Sequence, residues 1–233
     1  MIENCTYSVQ WIRSRCRVSF ELFPVKGKRM VVFMGKAFSR EDVDSRSVMV
    51  KAFRYYCGNT QDCNMYKLCS EQGRIVAERF NKVLDKTSCK IRFVVPAVTQ
   101  IDERATLTCK KKWEKDEAVV FEEKLKGKFT TFVDKRGKTS AHCDLILEAF
   151  CHFSLHESGG SFVICGLKGV QRKDTSEFIL TNPTIHSREG RFGPKDKRDA
   201  GIQDFSNNHT CNKFCRMFIN KLACEFDKAS DEC

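Results

Sequence analysis

The seven residues "HTCNKFC", His209 to Cys215, put one imidazole and two thiols within a few residues of one another near the end of the chain. Any fold of this chain has to bury, expose or ligate all three. If a helix starts near Asn212, Cys211 and Cys215 stand four residues apart, one turn on the same face, where two thiolates can converge on one ion. His209 can supply a third ligand from the entering loop. Tetrahedral zinc takes four, so a closed site needs a donor from elsewhere. On spacing alone His142, His152, His156 and His186 are all open. His152 is the best placed, because it sits in the apolar segment "EAFCHF", where an uncompensated ring is costly to bury.

Composition narrows the classes. The chain has 233 residues, 41% of them hydrophobic, enough to build a core, so disorder is not the default. The formal charge of +11 favours anionic partners without choosing among phosphate, acidic protein, nucleic acid and anionic lipid. Fourteen cysteines would suit a disulfide framework in a secreted chain. However, the first twenty residues hold no continuous apolar run of the signal-peptide kind, and no window approaches a membrane span. The chain reads as soluble, intracellular and cytoplasmic, with most thiols reduced.

The first fifty or so residues predict a small sheet: Val18, Phe20 and Leu22 alternate, "MVVFM" follows a turn at Pro24 and Gly27, and "SVMVKAF" is a third β-rich run. Met65, Leu68, Ile75, Val76, Phe80, Val83 and Leu84 recur at helical spacing and predict one long helix over about 62–85, interrupted by a polar stretch around Gln72 and Gly73. "IRFVVPAV", "AVVFEE" and "KFTTFVD" read as strands. "CDLILEAFCHF" reads as a buried helix, "SFVIC" and "EFIL" as core strands, and "CNKFCRMFINKL" as a last helix after glycine-rich loops. The pattern is α+β, strand-rich in 1–120 and mixed in 121–233. The basic run Lys110–Lys115 reads as a solvated loop rather than a nucleic-acid patch, because no base-stacking aromatic pattern accompanies it.

Taken in order, "EAFCHFSLHESGGSFVICGLKGV", "FILTNPTIHS" and "GIQDFSNNHTCNKFC" resemble the C-terminal half of the alpha-kinase family of atypical protein kinases. Upstream, "VMVKAF" is similar to the family's Val-Ala-Lys strand, "QGRIVAERFNK" to its helix ending in Phe-Asn, and "FEEKLKGKF" to its Glu-x-x-x-x-Gly-x-aromatic segment. The resemblance covers about residues 20–220 and implies a two-lobed kinase-like fold, with a strand-rich N-lobe and a zinc-stabilised C-lobe. It implies a structural zinc on His152, His209, Cys211 and Cys215. It also implies nucleotide contacts from Lys51, from Gly27 in the glycine loop and from Glu122 and Glu123. The family's arginine three residues after that glycine is Met30 here.

The family's chemistry needs carboxylates that this chain lacks. Where the family has Asp-x-Gln-Gly this chain has "GLKG", so Gly166 replaces a metal-binding carboxylate and Lys168 a glutamine. Where the family has Thr-Asp-Pro this chain has "TNP", with Asn182 at the catalytic aspartate. An amide cannot accept a proton, and an added cation opposes Mg²⁺. The departures predict a pseudokinase in which Lys168 takes over ATP phosphate charge without Mg²⁺. One rival is an active kinase using displaced carboxylates, Asp174 or Glu177. Another is a basic module for acidic protein or, less expected, nucleic acid. Arg198 stands where the family usually has a glycine, and His186 and Asp196 are expected to serve loop structure only.

Overall fold

The computed structural model describes residues 5–11, 14–20, 25–38, 46–84, 87, 89–101, 114–140 and 143–219. Leu22, Pro24, Lys110–Trp113 and His142 lie outside them. In chain order the strands are β1 (Cys5–Trp11), β2 (Ser14–Phe20), β3 (Val25–Lys26), β4 (Met30–Phe38), β5 (Arg46–Phe53), β6 (Lys90–Val94), β7 (Ala97–Gln100), β8 (Ala118–Glu123), β9 (Thr130–Thr131), β10 (Phe162–Cys165), β11 (Lys168–Arg172), β12 (Glu177–Thr181) and β13 (Thr184–Ser187). The helices are α1 (Thr60–Val83), α2 (Leu145–Glu157) and α3 (Asp199–Asn208), and residues 213–219 are also helical. Among the described residues, no helix is long and apolar enough to cross a membrane.

The chain divides into two compact units, and the division is not contiguous in sequence as a boundary at residue 120 would make it. Residues up to Lys67 group with Val95–Lys124, and Leu68–Val94 group with the residues from Leu125 onward. The first unit is one antiparallel sheet in the order β1-β2-β4-β5-β8-β7, with β3 on β4. Alternation sorts its two faces. Val31, Phe33 and Ala37 of β4 join Val48, Val50, Ala52, Val119 and Phe121 in one core. Met30, Phe53, Cys63, Ala118 and Val120 form a smaller cluster with Tyr66. Asn59 opens α1, its side-chain oxygen accepting from Asp62 N at 2.8 Å.

The second unit holds a four-stranded sheet, β6-β12-β11-β9, and the separate pair β10-β13. Gly73, which breaks the apolar period of α1, is needed for packing: a Cβ there would meet the Phe93 ring at 3.0 Å. Asn81, the asparagine of the Phe-Asn motif, completes the edge of β6. Its amide donates to Ile91 O at 2.8 Å and its carbonyl accepts from Ile91 N at 3.0 Å. The aspartate ahead of α2 caps it, Asp144 Oδ1 accepting from Ile146 N at 3.1 Å. Ile146, Leu147, Phe150, Cys151 and Phe153 then enter the core. Ser154, buried on the same helix, is satisfied because its hydroxyl donates to Cys151 O and accepts from Ile164 N.

Two elements differ from the sequence expectation. "KFTTFVD" contributes only the two-residue strand β9 and an isolated bridge between Val133 and Thr139. Part of the segment expected to be glycine-rich loop is the helix α3. Its Gly201, Ser206, Asn207 and Asn208 are weak helix formers, and burial of Phe205 and Gly201 holds it instead.

Candidate functional site

The second unit brings His152, His209, Cys211 and Cys215 together, with one ligand atom from each lying within 4.8 Å of the others. His152 comes from α2, His209 ends α3, Cys211 sits in the following loop and Cys215 in the last helix. His209 Nε2 lies 3.0 Å from His152 Nδ1, Cys211 Sγ 3.6 Å from His152 Nδ1, and Cys215 Sγ 3.7 Å from His209 Nε2. A tetrahedron with bonds of about 2.05 Å to nitrogen and about 2.3 Å to sulfur sets its donors about 3.3 to 3.8 Å apart. Two of the three separations fall in that range and the His152–His209 pair is a little tighter, so the cluster has the size to hold one zinc-sized ion.

Two residues that the sequence reading missed support this cluster. With Nε2 turned to the centre, His209 Nδ1 is buried without a hydrogen bond, and the nearest carboxylate is Glu148 Oε1 at 3.8 Å. A carboxylate on this side of the ring is where the second nitrogen of a metal-ligating histidine would turn, although at 3.8 Å the pair is longer than a hydrogen bond. Asn212 caps the last helix through its Oδ1, which accepts from Phe214 N at 2.9 Å and Cys215 N at 3.4 Å. Its amide reaches back to Leu145 O and Glu148 Oε2. Glu148 could have been found from its position four residues before His152 on a helix, and Asn212 from its cap position. Burial, and then the nearby His209 and His156, push the His152 pKa down to about 4, so its ring is neutral and able to ligate at neutral pH. Burial alone lowers that of His209. Cys215 is pushed up to about 11, mainly by burial, so binding an ion there must displace a thiol proton.

In the first unit, Lys51 Nζ donates to Glu122 Oε1, both side chains being buried. The register explains the pair. Lys51 faces Val120 and Met49 faces Glu122, so Lys51 and Glu122 are diagonal neighbours on one face of β5 and β8. Glu123, next along β8, points the other way and is exposed. Gly27 closes the β3–β4 hairpin, its N–H donating to Met30 O at 2.8 Å, while Met30 itself turns into the small cluster.

Gly166, Lys168 and Asn182 converge at one end of the strands of the second unit. Gly166 follows Cys165, which pairs with Thr184, so Asn182 is two residues from the partner of its neighbour. Lys168 begins β11, one step beyond the pair of Gly169 with Leu180, which sets it beside Thr181. Both loop residues have left-handed backbones, Gly166 at φ +63° and Asn182 at φ +46°. A Cβ on Gly166 would lie 2.8 Å from Thr184 Oγ1. Asp174 and Glu177, proposed as displaced carboxylates, are not part of this group. They lie at the opposite end of the β11–β12 hairpin, about 16 Å along β12 at about 3.3 Å per residue. Glu177 there accepts from Arg92 Nε at 3.1 Å.

His186 and Asp196 serve the backbone. His186 Nδ1 accepts from Lys197 N at 3.0 Å and its Nε2 lies 2.7 Å from Lys135 O, which fixes the proton on Nε2. Asp196 accepts from Ser187 N, Ser187 Oγ, Phe192 N and Arg198 N at 2.6 to 3.2 Å. Burial works to raise its pKa, but these hydrogen bonds outweigh that and hold it below the ordinary carboxylate value. Arg198, at φ +56° and ψ −142°, adopts a backbone that suits glycine.

The alpha-kinase family model matches residues 25–215. Alpha-protein kinase 1 of Dictyostelium discoideum is 27% identical over 211 residues, covering 88% of this chain. The chain spans only 14% of that relative's length. Among solved structures, the alpha-kinase domain of myosin heavy chain kinase A in complex with ADP superposes with a TM-score of 0.73 at 17% identity, over 93% of this chain and 96% of that one. An inactive form of that domain with an aspartate changed to alanine, complexed with ATP, gives 0.70 at 17% identity, over 92% and 96%. These likenesses establish the two-unit α+β architecture as the fold of those domains.

Proposed function

We propose, from the premise that this chain belongs to the alpha-kinase family, that it is a nucleotide-binding pseudokinase domain held together by a structural zinc. The observation that carries this reading is the convergence of Gly166, Lys168 and Asn182, none of which offers a carboxylate. Phosphoryl transfer depends on positioning and charge neutralisation, with Mg²⁺ held by carboxylates and the attacking hydroxyl oriented by another. Losing a general base costs about 10²- to 10⁴-fold in rate. Replacing a negative metal ligand by glycine and adding an ammonium nearby removes Mg²⁺ stabilisation as well.

Binding is a separate matter from transfer. The Lys51 ammonium, held by Glu122, suits nucleotide phosphate, and the Lys168 ammonium can neutralise phosphate charge where the family uses a metal. The ATP-bound inactive neighbour supports the view that this fold can hold nucleotide without turning it over. Zinc, when bound by His152, His209, Cys211 and Cys215, would supply a closed structural cross-link between α2, α3 and the last helix, with no part in transfer.

Nucleotide affinity measured by calorimetry with EDTA and with Mg²⁺ tests the reading, beside γ-phosphate transfer to a basic, threonine-rich peptide. ATP and ADP should bind equally well in EDTA, Lys51→Ala should abolish binding, and transfer should be undetectable. Absence of nucleotide binding under both conditions, or Mg²⁺-dependent transfer that disappears in Lys51→Ala, overturns it.

A further inference from the structure

Two loops of the second unit, 134–138 and 194–198, are fastened to each other through one imidazole: His186 touches Lys135 O with Nε2 and accepts from Lys197 N with Nδ1. The first loop is pinned further. Asn208 of α3 donates to Arg136 O at 3.3 Å, and Gly137 packs so closely on Phe205 that a Cβ would lie 2.5 Å from its ring. Each loop also turns its own carboxylate inward. Asp134 Oδ1 accepts from Arg136 N at 2.7 Å and Lys138 N at 3.0 Å, and Asp196 is saturated by the four donors described above.

The cations are on the solvent side, Arg198 running across Gly190, whose Cβ position lies 2.6 Å from Arg198 Nε. Lys135, Arg136, Lys138, Lys197 and Arg198 are all exposed. Of the outward acids nearby, Asp204 faces Lys197 across 3.3 Å in an exposed pair of little strength, and Asp199 adds one more charge. The result is a face of five cations on a backbone already fixed, so a bound anion need not order the loops. Arg198 is the telling residue, because it occupies a glycine-type backbone conformation and α3 begins behind it without a side-chain cap. A residue kept against its backbone preference is explained if its side chain is needed.

We propose that this face of the second unit binds an acidic polypeptide segment, rich in carboxylate or phosphate groups, of a partner protein. Arginine forks and lysines recognise both anions. Single-stranded nucleic acid is the less suited ligand, because it calls for a stacking platform and neither loop exposes a large aromatic side chain; Phe192 between them is buried. The proposal is independent of the nucleotide reading, since it uses neither Lys51 nor Lys168.

Fluorescence anisotropy of the full chain tests it with three labelled probes: a glutamate-rich peptide, the same peptide carrying phosphoserines, and an oligothymidylate of equal charge. Both peptides should bind in a salt-sensitive manner, with the phosphorylated probe tighter if phosphate is the better anion and the plain probe equal if carboxylate suffices. Lys135→Glu with Lys197→Glu should lower peptide affinity about tenfold or more, as for charged contacts across an interface. Arg172→Glu with Lys173→Glu, an equal charge change at the β11–β12 turn, should stay within about twofold, being beyond the screening distance of the face. Arg198→Gly should weaken binding several-fold while raising the melting temperature, a pairing that a purely structural arginine would not give. Failure of both peptides to bind, tighter binding of the oligothymidylate, or unchanged peptide affinity in the double variant overturns the proposal.

Discussion

The metal-ligand cluster and the Gly166–Asn182 loops lie in the same unit, yet they match the family resemblance in opposite ways. At the cluster all four donors are present, and Glu148 and Asn212 stand behind them. At the loops Gly166, Lys168 and Asn182 stand where the resemblance implies aspartate, glutamine and aspartate. Gly166 and Asn182 both occupy left-handed conformations, and glycine and asparagine are the residue types that tolerate them best. On the reading proposed above, fold and chemistry make different demands on the two regions: folding would require the donors and the turns, whereas only transfer would require the carboxylates, so their exchange would leave the turns intact.

The largest effect should come from removing the metal. Structural zinc sites contribute binding free energies of about 10 kcal/mol or more, which in such domains is folding free energy. Elemental analysis should return one zinc per chain. Chelation, or His152→Ala, should unfold the second unit at room temperature, seen as loss of near-ultraviolet circular dichroism. Because Cys215 must shed a thiol proton to bind, zinc affinity should fall as pH is lowered. A chain that contains no zinc, or keeps its melting temperature after chelation, erases the contrast between the two regions, since the cluster would then be only packed rings and thiols.

A smaller but still large loss is expected from Gly201→Ala. The added Cβ would lie 2.2 Å from His186 Cγ and 2.5 Å from its Nδ1, so the ring must move and surrender its contacts to Lys197 N and Lys135 O. Overpacking with loss of buried hydrogen bonds costs about 3 kcal/mol, readable as a lower denaturant midpoint. An unchanged midpoint would mean that the loops give way easily and that the backbone on this side is less demanding than the comparison holds.

Much of this was legible before the structure. The β-rich runs "MVVFM" and "SVMVKAF" mark β4 and β5 of the first sheet, and the apolar run after Asp144 marks α2. The histidine and cysteine spacing offers three candidate metal ligands and the apolar segment around His152 makes it the best-placed fourth, but only the resemblance fixes that choice, since the contact spans 57 residues along the chain. Less was legible where tertiary contacts override local preference. α3 lies in a stretch that reads as glycine-rich loop, and its Gly201, Ser206, Asn207 and Asn208 are weak helix formers. The division of α1 between units depends on what its two halves pack against, and the inward turn of Asp134 and Asp196 depends on backbone donors that composition does not reveal.

The smallest change in stability is expected where the chemistry changes most. Gly166→Asp combined with Lys168→Gln and Asn182→Asp restores the family's side chains on a backbone that already has their turns. Aspartate in a left-handed conformation costs about 1 kcal/mol, and because the new Cβ would lie 3.0 Å from Thr184 Cβ and 3.1 Å from Thr184 N as well as 2.8 Å from its Oγ1, the turn must also shift, at a further cost of about 1 kcal/mol. Asn182→Asp changes no backbone preference and should be within about 0.5 kcal/mol of neutral. The triple variant should therefore lose less stability than Gly201→Ala while gaining Mg²⁺-dependent nucleotide affinity and measurable γ-phosphate transfer. Asn182→Asp alone should gain neither, because a base without a bound metal leaves the phosphate charge unneutralised. Transfer appearing in that single variant would locate the defect in the base alone. It would also show that Gly166 and Lys168 still leave room for the metal, and the two regions would then differ by one atom of chemistry rather than by a lost metal site.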